Sequence, residues 1–198
     1  GLLVAASLVV LFAFDPLGDR QVRAEGSQDE SLREGETFSA AMDLPEWMDI
    51  TLVDALTGEA FTIRDVVGRP ILVESFAVWC SICLRQQKEM ARLLELEGDR
   101  IVHIGLNTDP NEDLEQVRSH AVEHGLGWRF AVAPIEMTQR LIDAFGLTVI
   151  NAPRAPVVRI AEDGSARLLP NGVKLAKDLL EETGLEPTVQ ESGREGRG

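Results

Sequence analysis

The feature that most constrains the fold is a strand-like apolar run that ends in two cysteines. Residues 69–78, RPILVESFAV, are mostly apolar and partly β-branched, which is typical of a strand covered on both faces. Trp79 follows, and Cys80 and Cys83 are the two cysteines of the chain. From Cys80 to about residue 97 the apolar residues recur with helical spacing. A buried strand that leads directly into a helix predicts a sheet with helices packed against it.

The rest of the central region alternates between predicted strands and helices. This alternation ends in an antiparallel hairpin, so it predicts an α/β protein with a central mixed sheet flanked by helices on both faces. The predicted elements are a hairpin at 50–63, strands at 100–107 and within WRFAVAP, helices at 111–125, 135–146 and 172–184, and a hairpin at 156–169 with its turn at Asp163-Gly164.

The two ends of the chain differ in composition from the centre. Residues 1–14 carry no charge, which predicts a signal-peptide core or membrane anchor; a retained anchor is favoured over a cleaved peptide, and a buried core helix is the alternative. Residues 15–44 are rich in Asp, Glu, Ser and Gly, which predicts a flexible acidic linker. The folded domain is then predicted at 45–186, followed by a disordered tail at 187–198.

The overall charge excludes one class of partner. The chain has 33 acidic and 19 basic residues and a formal net charge of −14. Binding to a phosphate backbone needs clustered Lys and Arg, so we expect no nucleic-acid partner.

The spacing of the two cysteines predicts disulfide exchange. At the start of a helix, the outward N–H groups and the helix dipole stabilise a thiolate at Cys80. Cys83 lies one helical turn further along, close enough to close a disulfide with Cys80. Cys80 can therefore attack a substrate disulfide, and Cys83 can resolve the resulting mixed disulfide.

Two other interpretations of the cysteine pair stay open. A purely structural disulfide is possible in an exported protein, although so short a loop adds little stability. A metal site would need further ligands, and the chain offers His103, His120 and His124. His120 and His124 have a metal-compatible i, i+4 spacing, but a solvated helix face explains that pair more simply.

The stretch PILVESFAVWCSIC resembles the thioredoxin signature, in which an apolar strand with one acidic residue precedes a Trp-Cys-x-x-Cys motif. The preceding ITLVDALTGEAFTIRDVVGRP resembles the N-terminal hairpin of exported thiol-disulfide oxidoreductases of the TlpA/ResA type. IVHIGLNTDPNEDLEQV is similar to their central strand and inserted helix, and APVVRIAEDGSARLL to their cis-proline strand and its hairpin partner. The resemblance covers about residues 48–184 and implies a thioredoxin-like fold with an N-terminal hairpin and a central helix-containing insertion.

The resemblance implies roles for three residues of the redox centre. Cys80 would be the nucleophile, Cys83 the resolving thiol, and the two would form the Cys80–Cys83 disulfide. Glu74 matches a buried acid that carries protons to and from the second cysteine; a strand-end carboxylate that reaches solvent is the alternative. Burial would raise the pKa of such a carboxyl, which suits proton transfer near neutral pH. No cofactor and no metal is expected.

The resemblance also implies three substrate contacts beside the disulfide. Pro156 matches the cis-proline, with Pro153 as the second candidate, and a cis bond there would expose the backbone of Ala155 for pairing with substrate. Trp79 would flank the disulfide, unless it simply packs in the core. Lys88 stands where family members usually carry a proline, so the active-site helix is expected to run straighter.

The function that follows is a membrane-tethered or exported, extracytoplasmic thiol-disulfide oxidoreductase, with protein thiols and disulfides as substrates. The resemblance favours a reductant, which would need a membrane electron donor for recycling. Association with the membrane through the N-terminal segment would keep the enzyme near that donor. The alternative is a copper-binding module that uses the same thiols, because soft thiolates suit Cu(I).

Overall fold

The computed structural model describes residues 44–188. The predicted segment 1–14, the linker up to residue 43 and the tail from residue 189 onward lie outside the described residues. Two sheets and four α-helices make up the described region. The strands are β1 (Leu52–Val53), β2 (Ala60–Phe61), β3 (Ile71–Phe76), β4 (Val102–Asn107), β5 (Arg129–Val132), β6 (Val157–Ile160) and β7 (Ala166–Leu168), and the helices are α1 (Ser81–Glu97), α2 (Leu114–Glu123), α3 (Ile135–Phe145) and α4 (Ala176–Thr183).

The main sheet has five strands in the order β5-β4-β3-β6-β7. Strands β3, β4 and β5 are parallel, whereas β6 and β7 run antiparallel, so the sheet is mixed. β3 lies at the centre and all six of its residues are buried, because both faces of the sheet are covered. In the register of β3, Glu74 lies between Gly105 of β4 and Val157 of β6. The predicted mixed α/β architecture is confirmed.

The helices cover the two faces of this sheet with separate apolar clusters. On one face, Leu72 and Phe76 of β3 pack with buried residues of α1, α2 and α4. On the other face, Ile71 and Val73 pack with α3 and with the segment that precedes β1. Glu74 shares the parity of Leu72 and Phe76, so its side chain enters the face covered by α1.

Local sequence signals fix where the helices begin and end. α2 begins with a capping box, in which Asp113 accepts a hydrogen bond from the Gln116 N–H and the Gln116 side chain accepts one from the Asp113 N–H. α1 runs without interruption for 17 residues and ends at Gly98, whose φ of 57° lies in the region that favours glycine. The absence of a proline at Lys88 therefore agrees with a continuous helix.

The predicted elements are all present, with shorter boundaries. The N-terminal hairpin is confirmed as β1 and β2, which form a small sheet of their own. The predicted insertion corresponds to α2 between β4 and β5. Thr188 donates hydrogen bonds from its N–H and its hydroxyl to Glu97, so contacts with α1 continue two residues past the predicted boundary at 186. None of the helices between residues 44 and 188 has the length and apolar character needed to cross a membrane.

Candidate functional site

Cys80 and Cys83 form a disulfide at the N-terminus of α1. Their Cα atoms are 5.3 Å apart. Cys80 is the N-cap residue, and its sulfur accepts a hydrogen bond from the Cys83 N–H at 3.1 Å. Cys83 is fully buried, and its sulfur lies 3.2 Å from the carbonyl oxygen of Ala152. Cys80 retains 3% exposure, so the cysteine predicted to be the nucleophile is the one closer to solvent.

The turn that joins β3 to Cys80 is held by a carboxylate from the segment after β4. Glu112 accepts hydrogen bonds from the Val78 N–H at 2.8 and 3.1 Å. The amide of Asn107, which is fully buried, donates to the same carboxylate at 2.5 Å. Because Val78 lies two residues before Cys80, this contact fixes the approach of the chain to the disulfide.

Trp79 lies on the surface, not in the core. Its side chain is 63% exposed, and its indole N–H donates to Asp109 at 2.7 Å. This hydrogen bond, aided by the Asn111 N–H, holds the pKa of the Asp109 carboxyl below its usual value. Trp79 and Asp109 line a groove of about 350 Å³ together with Ile150, Ala152 and Pro153. Core packing of Trp79 is thereby ruled out, and its contact with substrate stays a prediction.

Glu74 is fully buried in the centre of β3. Burial raises the pKa of Glu74 well above its usual value, an effect opposed by the nearby Gln87 amide and by the positive charge of Lys174. Gln87 is close enough to act on the carboxyl, but neither oxygen of Glu74 makes a hydrogen bond of ordinary length and angle. The alternative of a strand-end carboxylate in solvent is therefore wrong, and a proton-carrying role is compatible with this environment.

Lys174, which precedes α4, was not among the residues that the sequence singled out. It is 8% exposed, and its ammonium group donates a hydrogen bond to the carbonyl oxygen of Ala155. Burial lowers the pKa of Lys174 to about 8, although the charge of Glu74 acts in the opposite direction. A lysine in a loop gives no periodic signal, so only the folded chain shows that it is buried.

The predicted cis-proline is not observed. No peptide bond between residues 44 and 188 is cis, so the assignment is wrong for Pro156 and for Pro153. The chain turns before β6 by another route: Ala155 adopts the left-handed conformation, with φ 47° and ψ 57°, and its N–H donates to Ala152 at 2.8 Å. Ala155 is fully buried and its carbonyl accepts from Lys174. Substrate pairing at Ala155 would therefore require exchange of these internal hydrogen bonds.

The histidines are divided between core and surface. His120 is 5% exposed and its Nε2 lies 2.8 Å from the Gln87 side-chain oxygen, so the interpretation of His120 as a solvated residue is wrong. His124 is exposed. Between residues 44 and 188, no group of three or more His, Cys, Asp or Glu side chains is arranged to hold a metal ion.

Comparison with known proteins supports the fold on a limited sequence match. No family model matches the chain. A thioredoxin-like protein, YneN of Bacillus subtilis, is 28% identical over 72 residues, which are 36% of this chain and 42% of that protein. The match thus spans less than half of this curated relative.

Solved structures match over most of the chain. A thioredoxin-family thiol:disulfide interchange protein from Chlorobium tepidum is 19% identical with a TM-score of 0.56, covering 66% of this chain and 87% of its own. A secreted Mycobacterium tuberculosis disulfide oxidoreductase, homologous to E. coli DsbE, is 16% identical with a TM-score of 0.54, covering 68% and 93%. The thioredoxin domain of a Bacteroides vulgatus thiol-disulfide oxidoreductase is 17% identical with a TM-score of 0.52, covering 67% and 89%. The chain therefore has the thioredoxin-like fold, and the resemblance to thioredoxin-like thiol-disulfide oxidoreductases predicted from its sequence is confirmed.

Proposed function

We propose that this protein is an extracytoplasmic thiol-disulfide oxidoreductase that reduces disulfides in protein substrates. The observation that carries the proposal is the Cys80–Cys83 disulfide at the N-terminus of α1, within a thioredoxin-like fold. A pair in this position can change between disulfide and dithiol without unfolding its surroundings.

The reaction begins with the dithiol form of the protein. The Cys80 thiolate attacks one sulfur of the substrate disulfide, forms a mixed disulfide and expels the other substrate sulfur as a thiolate, which takes up a proton. Cys83 then loses its proton and attacks the sulfur of Cys80. The Cys80–Cys83 bond forms, the bond to substrate breaks, and the second substrate sulfur leaves as a thiolate. Two electrons have passed to the substrate, and a dithiol donor restores the protein.

Glu74 is the proposed acceptor of the Cys83 proton. It lies on the face of β3 that α1 covers, which is the face to which Cys83 belongs. Burial raises the pKa of the Glu74 carboxyl, which favours its protonated form and suits a group that accepts and returns a proton. We assign Trp79 and the groove beside it to binding of the substrate chain near the disulfide.

Two carboxylates support the reducing direction. Glu112 binds the Val78 N–H and Asp109 binds the Trp79 indole, so both lie near the residues that directly precede Cys80. Negative charge near a thiolate makes the dithiol form less stable, whereas strong oxidants have a stabilised dithiol form. We further propose that residues 1–14 anchor the protein to a membrane, where an electron donor would recycle it.

The direct test measures reduction of insulin by the full chain with dithiothreitol as the donor. We expect activity that is lost in Cys80→Ser, a mixed disulfide that accumulates in Cys83→Ser, and activity retained in the exposed control Ser81→Ala. Equilibration with glutathione buffers gives the reduction potential, which we expect below about −200 mV for a reductant. Absence of exchange at every potential would overturn the proposal; Cu(I) binding that Cys80→Ser abolishes would then favour the copper-binding alternative.

A further inference from the structure

Lys174 is held in the site by hydrogen bonds of both its backbone and its side chain. Its backbone N–H donates to the Gln86 side-chain oxygen at 2.8 Å, and its carbonyl accepts from the Gln86 amide at 3.2 Å. Gln86 is fully buried on α1, three residues after Cys83. At the other end, the ammonium group donates to the Ala155 carbonyl. A lysine side chain ordinarily extends into water, so this conformation requires a compensating interaction.

Glu74 is the acid beside this contact: Ala155, whose carbonyl Lys174 binds, lies two residues before Val157, and Val157 stands opposite Glu74 in the sheet. The two charges act on each other: Lys174 favours the ionised form of Glu74, and Glu74 favours the ionised form of Lys174. The Lys174 ammonium group makes one hydrogen bond, to a neutral carbonyl, whereas neither Glu74 oxygen makes one of ordinary length and angle. A buried charge with few hydrogen bonds depends strongly on the nearest opposite charge, because water does not screen the pair.

We propose that Lys174 is a positioning residue for the exchange reaction, one that sets the ionisation of Glu74 and thereby the pH at which Cys83 can pass its proton to that carboxylate. The inference rests on the proposed function of Glu74. The disulfide chemistry itself takes place at the two cysteines; Lys174 acts on it only through the carboxyl group.

Other charged groups surround the pair and must be considered. The neighbouring elements on this face of the sheet carry Cys83 and Glu89 on α1, His120 on α2, His103 on β4 and Arg159 on β6. Glu89 accepts from the Ala176 N–H and pairs with Arg92, and the Arg159 guanidinium donates to the carbonyl of Glu182. Desolvation lowers the pKa of both His103 and His120, so neither histidine supplies a positive charge near neutral pH.

The first experiment is the pH profile of kcat/KM for insulin reduction. In Lys174→Met the pKa of Glu74 should rise further. The pH at which kcat/KM rises on the acid side of the profile should therefore increase by about one unit or more. Lys174→Arg keeps the positive charge and should keep the wild-type midpoint. Lys177→Met removes an exposed lysine one residue into α4 and should leave the profile unchanged. A merely structural role would lower activity at every pH without moving the midpoint.

The second experiment does not depend on activity. In the oxidised protein, carbon-13 NMR follows the Glu74 carboxyl and nitrogen-15 NMR follows the Lys174 ammonium group. Lys174→Met should raise the pKa of Glu74, and Glu74→Gln should lower the pKa of Lys174 below its value of about 8. If Lys174→Met does not fold, the titration of Lys174 in Glu74→Gln tests the coupling by itself.

The two experiments separate the possible failures. Reciprocal NMR shifts in a protein without exchange activity would support the coupling and reject the proposed function. Unchanged titrations in both variants, or an unmoved acid limb in an active Lys174→Met protein, would overturn the role of Lys174.

Discussion

His103 should contribute strongly to the loss of stability on the acid side. This residue lies in β4 opposite Leu72, is 3% exposed, and has its ring 5.8 Å from that of Trp128. Neither ring nitrogen has a hydrogen-bond partner. Burial lowers the pKa of His103 from 6.5 to about 4, because the folded protein offers the imidazolium no solvation.

Whether stability rises or falls with pH follows from the number of protons that the folded and unfolded states bind. Below pH 6.5 the unfolded chain binds a proton at His103, while the folded protein stays neutral there until about pH 4. The stability that the neutral ring provides is thus complete above pH 6.5 and is lost as the pH falls toward 4. With these two pKa values, about 2 kcal/mol is lost between pH 7 and pH 5.

The assay compares wild type with His103→Phe and His103→Gln by urea unfolding at both pH values. Both variants should lack this loss of about 2 kcal/mol, which corresponds to about 4–8 °C in melting temperature. Phe fills the core and Gln does not, so their stabilities at pH 7 should differ while their pH dependence agrees. If either variant loses as much stability as wild type between pH 7 and pH 5, His103 is not the titrating group.

Three further outcomes are expected at the redox centre. Glu74→Leu should slow insulin reduction near pH 7, because Cys83 loses its proton acceptor; a fully active variant would remove the proton-transfer role. Limiting iodoacetamide should label Cys80 before Cys83 in the reduced protein, and mass spectrometry showing equal labelling would contradict the assignment. Trp79→Phe and Asp109→Ala each remove the indole hydrogen bond and should raise KM for insulin more than for a small disulfide; an equal effect on both substrates would exclude a peptide-binding role.

The strands and helices could be predicted because their signals are local. The run at 69–78 is apolar without interruption, which a central parallel strand requires, and β3 has that position. The Asp163-Gly164 turn places β6 beside β7, with Gly164 at a φ of 81°. Cys80 could be assigned to a helix N-terminus from the same local pattern.

The hydrogen bonds that hold the site in place could not be predicted, because they join residues far apart in the sequence. Glu112 is 34 residues from Val78, and Lys174 is 88 residues from Gln86. Polar residues in loops follow no period, so nothing in their spacing indicates burial. The turn before β6 was missed for a related reason: the left-handed Ala155 is held by tertiary hydrogen bonds, not by a local preference for that conformation.

Two buried groups of opposite character share the face of the sheet that α1 covers, and their effects on stability oppose each other. Glu74 has a raised pKa, so the stability associated with its protonated form is complete below pH 4.5 and is lost as the pH rises. His103 loses stability in the other direction, and His120, whose pKa is also lowered by burial, adds to that loss. The stability of the wild-type protein between pH 4.5 and 6.5 is the sum of the contributions of these residues. Its pH profile alone therefore does not show which residue causes which change. Differences from wild type do: on lowering the pH, His103→Phe should gain stability relative to the wild type, while Glu74→Leu should lose stability relative to it.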